Sequence, residues 1–229
     1  MTAWHTGEVF TSDTLKFLRA LKRNNDREWF RSRKDEYERS VRGPMIAVIE
    51  RLANDFKRFA PEIGASPKTS LYRIYRDTRF SDDKTPLKIQ VSASFRWKGL
   101  PRGEGAGLYL EVHPRWVWMG GGFWAPPPPQ LVRIREHIAT TYPAIDRIAR
   151  AKPFVRVSGA LEGDKLTRVP RGYPRDHRAA EYLKFRQFVA GREFPPQFAT
   201  TPEFYPALIE TYKAIMPLVR FLNAPLTAE

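Results

Sequence analysis

A chain of 229 residues with 42% hydrophobic, 13% aromatic and 28% charged residues has the composition of a folded protein, which argues against intrinsic disorder. It contains no cysteine, and this excludes disulfides, thiolate nucleophiles and zinc sites built on cysteine. Its formal net charge of +14 attracts anions, nucleic acid among them, but basic charge alone predicts only non-specific binding.

The length and the local composition predict one domain. The chain is long enough to bury a sizeable core and no linker divides it, so residues 1–229 are expected to fold as a single domain. It has no run of about eighteen apolar residues and no secretory signal at its start, so we expect a cytoplasmic protein with no membrane partner. The oligomeric state is left open.

The first sixty residues are predicted to be helical. Thr11-Ser12-Asp13 offers N-cap side chains before apolar residues at helical spacing, which predicts a first helix over residues 11–21. The same spacing predicts helices over residues 29–37 and 45–59, separated by a break at Gly43-Pro44.

Alternation of apolar and polar residues after a loop at residues 61–69 predicts strands. Four strands are expected, over residues 71–75, 88–96, 108–113 and 115–119. Gly120-Gly121-Gly122 is interpreted as a flexible turn, because its spacing matches neither the dinucleotide nor the P-loop motif. Strands joined by short connections without intervening helices predict an antiparallel sheet.

The C-terminal part is predicted to be mainly helical. A proline-rich entry at residues 126–129 leads into a helix through Tyr142 and a further turn from Pro143. Beyond it we expect a strand at residues 154–157, an extended basic loop at 166–174, a helix over 179–189 and a final helix capped by Thr201. The predicted fold class is α+β, with a central, mostly antiparallel sheet flanked by N-terminal and C-terminal helices.

The densest concentration of charge lies between Arg73 and Lys88, where sixteen residues contain five cations and three carboxylates. A bend over Phe80-Ser81-Asp82-Asp83 is predicted to fold this stretch into a hairpin. The cations that it brings together are Arg73, Arg76, Arg79, Lys84 and Lys88. Because guanidinium forks bind two oxygens at once, we interpret the hairpin as a binding site for an anionic, phosphate-containing small molecule or nucleotide.

Three residues are candidates for acid–base chemistry, and whether the protein is an enzyme is left open. Asp77 either positions an arginine or acts as an acid or base, and His113 and His177 are candidate general bases. Whether the protein uses a cofactor is left open, and no metal site is predicted. An Mg²⁺ ion on Asp77, Asp82 or Asp83 is kept as an alternative.

Two other functions also stay open. The overall charge fits a nucleic-acid-binding protein without catalysis, in which Arg171 and Arg175 of the basic loop contribute about as much as the hairpin. Alternatively, the hairpin charges neutralise one another, with Asp77 paired to Arg76 or Arg79 and Asp83 paired to a lysine, and the domain has a structural or partner-binding role.

A cluster of aromatic residues follows the third expected strand. It consists of Trp116, Trp118, Phe123 and Trp124. Interleaved with Arg115, such residues can stack on single-stranded nucleic acid. Tryptophans at alternate strand positions more often bury their large apolar area, so we interpret the cluster as core.

Residues 73–86 read Arg-Ile-Tyr-Arg-Asp-Thr-Arg-Phe-Ser-Asp-Asp-Lys-Thr-Pro. This motif resembles the signature of a widespread microbial family, domain of unknown function 2461. Further matches are Phe17-Leu18, Asn24-Asn25, Glu28-Trp29-Phe30, Gly121-Gly122, Arg133-Ile-Arg135 and Arg168-Val-Pro170-Arg171-Gly172-Tyr173. The resemblance spans residues 10–222 and implies a compact domain without implying an activity. Leu87 departs from it, since that family usually has an aromatic residue there, and this leaves a ligand without an aromatic wall at that position.

Overall fold

The computed structural model describes residues 9–79, 82–101 and 103–227. The chain forms two compact units, each assembled from three segments. Unit 1 comprises Met1–Phe95, Tyr109–Met119 and Glu193–Ile209, and unit 2 comprises Arg96–Leu108, Gly120–Arg192 and Glu210–Glu229. Because the chain passes between the units several times, the division does not cut it into two consecutive domains. That residues 1–229 act as one domain stays a prediction.

Helices occur along most of the chain. They are α1 (Ser12–Arg23), α2 (Arg27–Ser32), α3 (Lys34–Tyr37), a π-helical turn (Glu38–Arg42), α4 (Gly43–Phe59), α5 (Pro67–Ser70), α6 (Pro128–Thr140), α7 (Tyr142–Arg150), α8 (Lys152–Ser158), α9 (Ala180–Leu183), a 3₁₀ turn (Pro196–Thr200) and α10 (Phe204–Thr227). In the described ranges, no helix is long and apolar enough to cross a membrane. The cytoplasmic location stays a prediction.

Five strands form one antiparallel sheet in the order β1-β2-β3-β4-β5. They are β1 (Ile63–Gly64), β2 (Val91–Trp97), β3 (Gly107–Val112), β4 (Val117–Phe123) and β5 (Phe188–Phe194). In β3, buried and partly exposed residues alternate, as the apolar alternation predicts. With helices before and after these strands, the α+β fold class is confirmed.

The predicted break at Gly43-Pro44 is wrong. The π-helical turn continues directly into α4, so the chain changes helical pitch there without leaving the helix. A Cβ added at Gly43 would lie 2.9 Å from the carbonyl oxygen of Glu38, and glycine therefore allows the tighter backbone approach. Pro44 sits in the first turn of α4 and has no N–H to donate to the preceding π-helical turn.

The three glycines at 120–122 do not form a turn. They lie inside β4, where neighbouring strands come close to the backbone. A Cβ at Gly121 would lie 2.6 Å from the carbonyl oxygen of Gly107. Gly122 has a φ of +128°, and a Cβ there would overlap the carbonyl group of Phe188. Close strand packing, and not flexibility, accounts for these glycines.

Three other predicted elements differ from the structure. Residues 71–75 form isolated bridges instead of a strand. The segment around residues 154–157 is helix α8, because Pro153 begins it and Phe154 and Val157, three positions apart, are buried together on one side. The helix expected over residues 179–189 ends at Leu183, and the chain then enters β5, which the sequence pattern did not indicate.

The core of unit 1 is built on the apolar faces of α1 and α4. Leu18 and Leu21 of α1 and Leu52 of α4 are fully buried, and Phe56 packs edge-on against Phe95 of β2 with ring centres 5.4 Å apart. Thr14 ties α1 to the π-helical turn, because its hydroxyl donates to the carbonyl oxygen of Ser40 at 2.6 Å. Buried packing therefore holds α1, the π-helical turn, α4 and β2 together.

Candidate functional site

The predicted hairpin is present between Leu71 and Ala93. The Arg76 N–H donates to the Pro86 carbonyl oxygen at 2.9 Å, and the Lys88 N–H donates to the Ile74 carbonyl oxygen at 2.8 Å. Antiparallel bridges join Tyr75 to Leu87 and Leu71 to Ala93. Phe80 and Ser81, where the predicted bend begins, lie outside the described residues. The two arms therefore hold Arg76 and Lys88 at neighbouring positions.

Asn25 fixes the returning arm. Its side-chain amide donates to the Leu87 carbonyl oxygen at 2.9 Å, and its amide oxygen accepts the Leu87 N–H at 3.0 Å. Leu87 itself is fully buried, and Lys88 follows it immediately. Asn25 is therefore a positioning residue for Lys88, and the sequence offered no sign of this because the two segments are 62 residues apart.

Side chains of the returning arm of the hairpin hold Arg76 in place. Its Nη1 donates to the Asp83 carboxylate and, at 2.9 Å, to the Thr85 hydroxyl. The predicted pairing of Asp83 with a lysine is therefore wrong, because Arg76 lies opposite it on the other arm. The Asp83 carboxylate also accepts the N–H and the hydroxyl of Thr85 at 2.9 and 2.7 Å. The Thr85 hydrogen bonds, and then Arg76, lower the pKa of Asp83. These contacts fix the guanidinium but leave its other N–H groups for further acceptors.

Two more of the predicted anion-binding cations are engaged within the hairpin. Arg79 forms a forked pair with Asp77, with Nε–O and Nη2–O distances of 2.9 and 2.7 Å. These hydrogen bonds lower the pKa of Asp77 to about 2, which makes it a poor proton acceptor or donor at neutral pH. Lys84 donates to the Thr78 carbonyl oxygen at 3.0 Å.

Arg73 and Lys88 are different, because neither makes an ion pair with any described residue. Lys88 is half-buried, and its ammonium group lies 4.9 Å from the centre of the Tyr72 ring. Burial, followed by repulsion from Arg73 and Arg76, lowers the pKa of Lys88. Two neighbouring cations therefore repel Lys88; Arg76 is paired with Asp83, and Arg73 is attracted by Asp77 without forming an ion pair with it.

A cleft of about 340 Å³ opens beside the hairpin in unit 1. We call it the hairpin cleft; its lining residues are Arg76, Lys88, Ile89, Gln90, Glu111, His113 and Trp116. Of the predicted site residues it brings together Arg76, Lys88 and His113. Arg73, Asp77, Arg79 and Lys84 belong to the hairpin but do not line this cleft.

Glu111 is a cleft residue that sequence reasoning missed. The Tyr109 hydroxyl donates to its carboxylate at 2.7 Å, and the Trp116 indole N–H donates to it at 2.9 Å. Burial first, and then the Glu111 charge, raises the pKa of Tyr109, so the phenol remains a donor. The alternation along β3 places Tyr109, Glu111 and His113 on one face, and that pattern could have identified Glu111.

The aromatic cluster is not core in the way predicted. Trp116 is partly exposed and lines the hairpin cleft, Trp118 is partly exposed, and Trp124 is 69% exposed. Phe123 is buried, together with Val117 and Met119, which occupy the other positions of the same strand. The tryptophans occupy alternate positions, as expected, but the buried face of β4 belongs to their neighbours.

His113 is a buried member of the cleft, with 5% of its surface exposed. Its ring stacks on Trp116 with centres 3.6 Å apart. Its Nδ1 accepts the Arg115 N–H at 3.2 Å, which leaves the ring proton on Nε2. Burial, together with Arg115 and Lys22, lowers the pKa of His113 to about 4. At neutral pH His113 is therefore a neutral hydrogen-bond donor.

His177 does not join this site. It belongs to unit 2, where its Nδ1 accepts the Ala179 N–H at 3.0 Å and its ring lies edge-on to Tyr173. Across the described parts of the chain, no group of three or more histidine and acidic side chains is arranged to hold a metal ion. The Mg²⁺ alternative therefore gains no support from Asp77, Asp82 and Asp83.

Comparison with known proteins identifies the family. The model of a family of conserved hypothetical proteins, DUF2461, matches residues 13–221. The chain belongs to this family. No curated protein and no solved structure matches it. In this DUF2461 protein, Leu87 stands where the family usually has an aromatic residue, and its aliphatic side chain is buried in the core. The aromatic surface of the cleft comes from Trp116 instead.

Proposed function

We propose that this DUF2461 protein binds a phosphate-containing small molecule, such as a nucleotide, in the hairpin cleft. The observation that carries the proposal is the position of Lys88, a half-buried cation that Arg73 and Arg76 repel and that pairs with no carboxylate of a described residue. Unbalanced charge near apolar walls costs free energy, and a bound anion would offset that cost.

The chemistry of the two cleft cations suits phosphate. Arg76 has a fixed guanidinium with N–H groups to spare, and Lys88 offers a compact charge on a movable stem. Glu111 lies in the same cleft but forms no ion pair with either cation among the described residues. Its carboxylate is oriented by Tyr109 and Trp116, so it can accept N–H groups from the uncharged part of a ligand.

The size of the cleft favours a small molecule over a polymer. A volume of about 340 Å³ falls within the range that is usual for ligand pockets, roughly 300–1,000 Å³. Trp116 provides an aromatic surface that a nucleobase could contact. The lowered pKa values of Asp77 and His113 lie away from neutrality, which supports binding and does not support acid–base catalysis by these two groups.

Calorimetric titration tests the proposal. Wild-type protein would be titrated with ATP, AMP, glucose 6-phosphate and inorganic phosphate, and we expect saturable binding of at least one phosphate ester. Lys88→Gln should weaken it about tenfold or more, since it removes one charge-assisted hydrogen bond. Lys57→Gln, which removes the same charge from an exposed site on α4, is the matched control. Absence of heat with every phosphate compound would refute the proposal.

Non-specific nucleic-acid binding makes a different prediction. Heparin and nucleic acid respond to total charge, so Lys88→Gln and Lys57→Gln should reduce retention on heparin equally. The proposed function requires that the two variants differ in phosphate-ester affinity while behaving alike on heparin. Equal losses of phosphate-ester affinity in both variants would favour the charge-based alternative.

A further inference from the structure

A second cavity, of about 390 Å³, lies in unit 2. We call it the α6 cavity; α6 contributes Val132, Arg135 and Glu136, and the basic loop contributes Pro170, Arg171 and Tyr173. We infer that the α6 cavity binds a small monocarboxylic acid with an apolar or aromatic body. This inference is independent of the hairpin cleft, because the two cavities have no lining residue in common.

Arg135 is the anchor of the α6 cavity. Its Nε donates to the Leu183 carbonyl oxygen at 3.0 Å and its Nη2 to the Phe185 carbonyl oxygen at 3.1 Å, so the half-buried guanidinium has a fixed orientation. A guanidinium has five N–H donors, and these two contacts leave the others for a ligand. No carboxylate of a described residue pairs with it, so a partly buried positive charge is left without a counter-ion.

Arg171 and Tyr173 add polar groups from the loop. Arg171 is exposed and makes no ion pair with a described residue. The Tyr173 hydroxyl likewise has no hydrogen-bond partner among the described residues. Burial raises the pKa of Tyr173, which keeps its hydroxyl protonated as a donor. Two guanidinium groups and a phenol thus lie around one cavity, and this set of donors suits a planar oxyanion.

The remaining lining residues indicate a carboxylate in preference to a phosphate. Among the lining residues, Glu136 sets one negative charge against the two arginines, and this net charge of +1 matches a monoanion better than a dianion. Arg186 also acts on Arg135 but does not line the cavity. Val132, which is 51% exposed, and Pro170 provide apolar surface next to these donors. An acid with an apolar body would cover that surface while its carboxylate meets Arg135.

Nuclear magnetic resonance gives the direct test. The full chain, labelled with ¹⁵N, would be titrated with benzoate, benzyl alcohol and inorganic phosphate while the Arg135 Nε–H and the Gly172 N–H are observed. We expect saturable shifts with benzoate and at least tenfold weaker binding of the other two compounds. Absence of a saturable benzoate shift would overturn the inference, and phosphate binding as tightly as benzoate would overturn the carboxylate assignment.

Variants locate the binding. Arg171→Gln should weaken benzoate binding about tenfold, and Tyr173→Phe should weaken it by a smaller factor, since it removes one hydroxyl. Neither change touches the Arg135 contacts with Leu183 and Phe185, so both variants are expected to fold. Arg168→Gln is the matched control, because Arg168 is an exposed arginine of the same loop outside the α6 cavity. An equal loss in Arg168→Gln would refute the site.

Discussion

The buried imidazole of His113 should make the stability of the protein depend on pH in a way that one variant can isolate. In the folded state the pKa of His113 is about 4, against an ordinary value of 6.5. Since the folded pKa is the lower one, the unfolded state binds more protons between these values. The full stability is therefore present above about pH 6.5 and is lost as the pH falls through 4.

The size of this effect follows from the shift. Every pKa unit corresponds to about 1.4 kcal/mol, so lowering the pH from 7 to 4.5 should reduce the free energy of unfolding by roughly 2–3 kcal/mol through His113 alone. Other groups that titrate over the same pH range also change the stability. Their contribution cancels when the wild type is compared with a variant that differs only at residue 113. His113→Asn is suited to this, because its amide oxygen can still accept the Arg115 N–H and its side chain does not titrate.

Urea unfolding followed by circular dichroism at pH 7 and pH 4.5 provides the measurement. We expect His113→Asn to be less stable at pH 7, because the stack on Trp116 is lost, and this deficit should shrink by roughly 2–3 kcal/mol at pH 4.5. Equal deficits at the two pH values, with unchanged denaturant dependence, would refute the idea that a neutral imidazole is held in the fold.

Three other predictions concern positions that hold the site and the sheet. Asn25→Ala should lower the free energy of unfolding by about 1–3 kcal/mol, because it removes both hydrogen bonds to Leu87. Thermal unfolding should show a clearly smaller loss for Asn24→Ala, which removes one exposed hydrogen bond. Gly122→Ala should yield little folded protein on size-exclusion chromatography, because its Cβ would overlap Phe188, whereas Gly159→Ala, also at positive φ but in open space, should cost only about 1–2 kcal/mol. In calorimetry, Asp83→Asn should weaken phosphate-ester binding less than Lys88→Gln does, because it loosens Arg76 without removing a cation. An equal or larger loss of affinity in Asp83→Asn would mean that the orientation of Arg76 matters more than the charge of Lys88.

Local signals predicted the parts of the fold in which one face of an element is buried. The helical spacing before Leu21 and the alternation through Val112 both depend on a period that a short stretch of sequence displays, and both elements are present. The errors arise where contacts distant in the sequence decide the conformation. The glycines of β4 were read as a turn because the strands that press against them come from elsewhere in the chain.

For the candidate site, the sequence gives the number of charged residues but not which of them form ion pairs. Counting residues between Arg73 and Lys88 indicates a surplus of two cations, but a count cannot say which cations form pairs. Asp77 pairs with Arg79, two positions along the chain, and this pairing was one of the two considered from the sequence. The Arg76–Asp83 pair requires the hairpin to close, and the position of Lys88 depends on Asn25, so neither could be inferred from spacing alone.

Some cations of the hairpin form ion pairs with described residues and others do not. The proposed anion site therefore keeps fewer residues than the sequence predicts. If all five cations had been matched by acids or carbonyl groups, the hairpin would be a structural lattice and a ligand would have to displace existing pairs. Instead, the paired cations brace the turn, while Lys88 lies half-buried beside Arg73 and Arg76 at the edge of the cleft. A ligand can therefore bind Lys88 without breaking the Arg79–Asp77 pair. Its affinity should accordingly respond to Lys88→Gln far more than to Arg79→Gln.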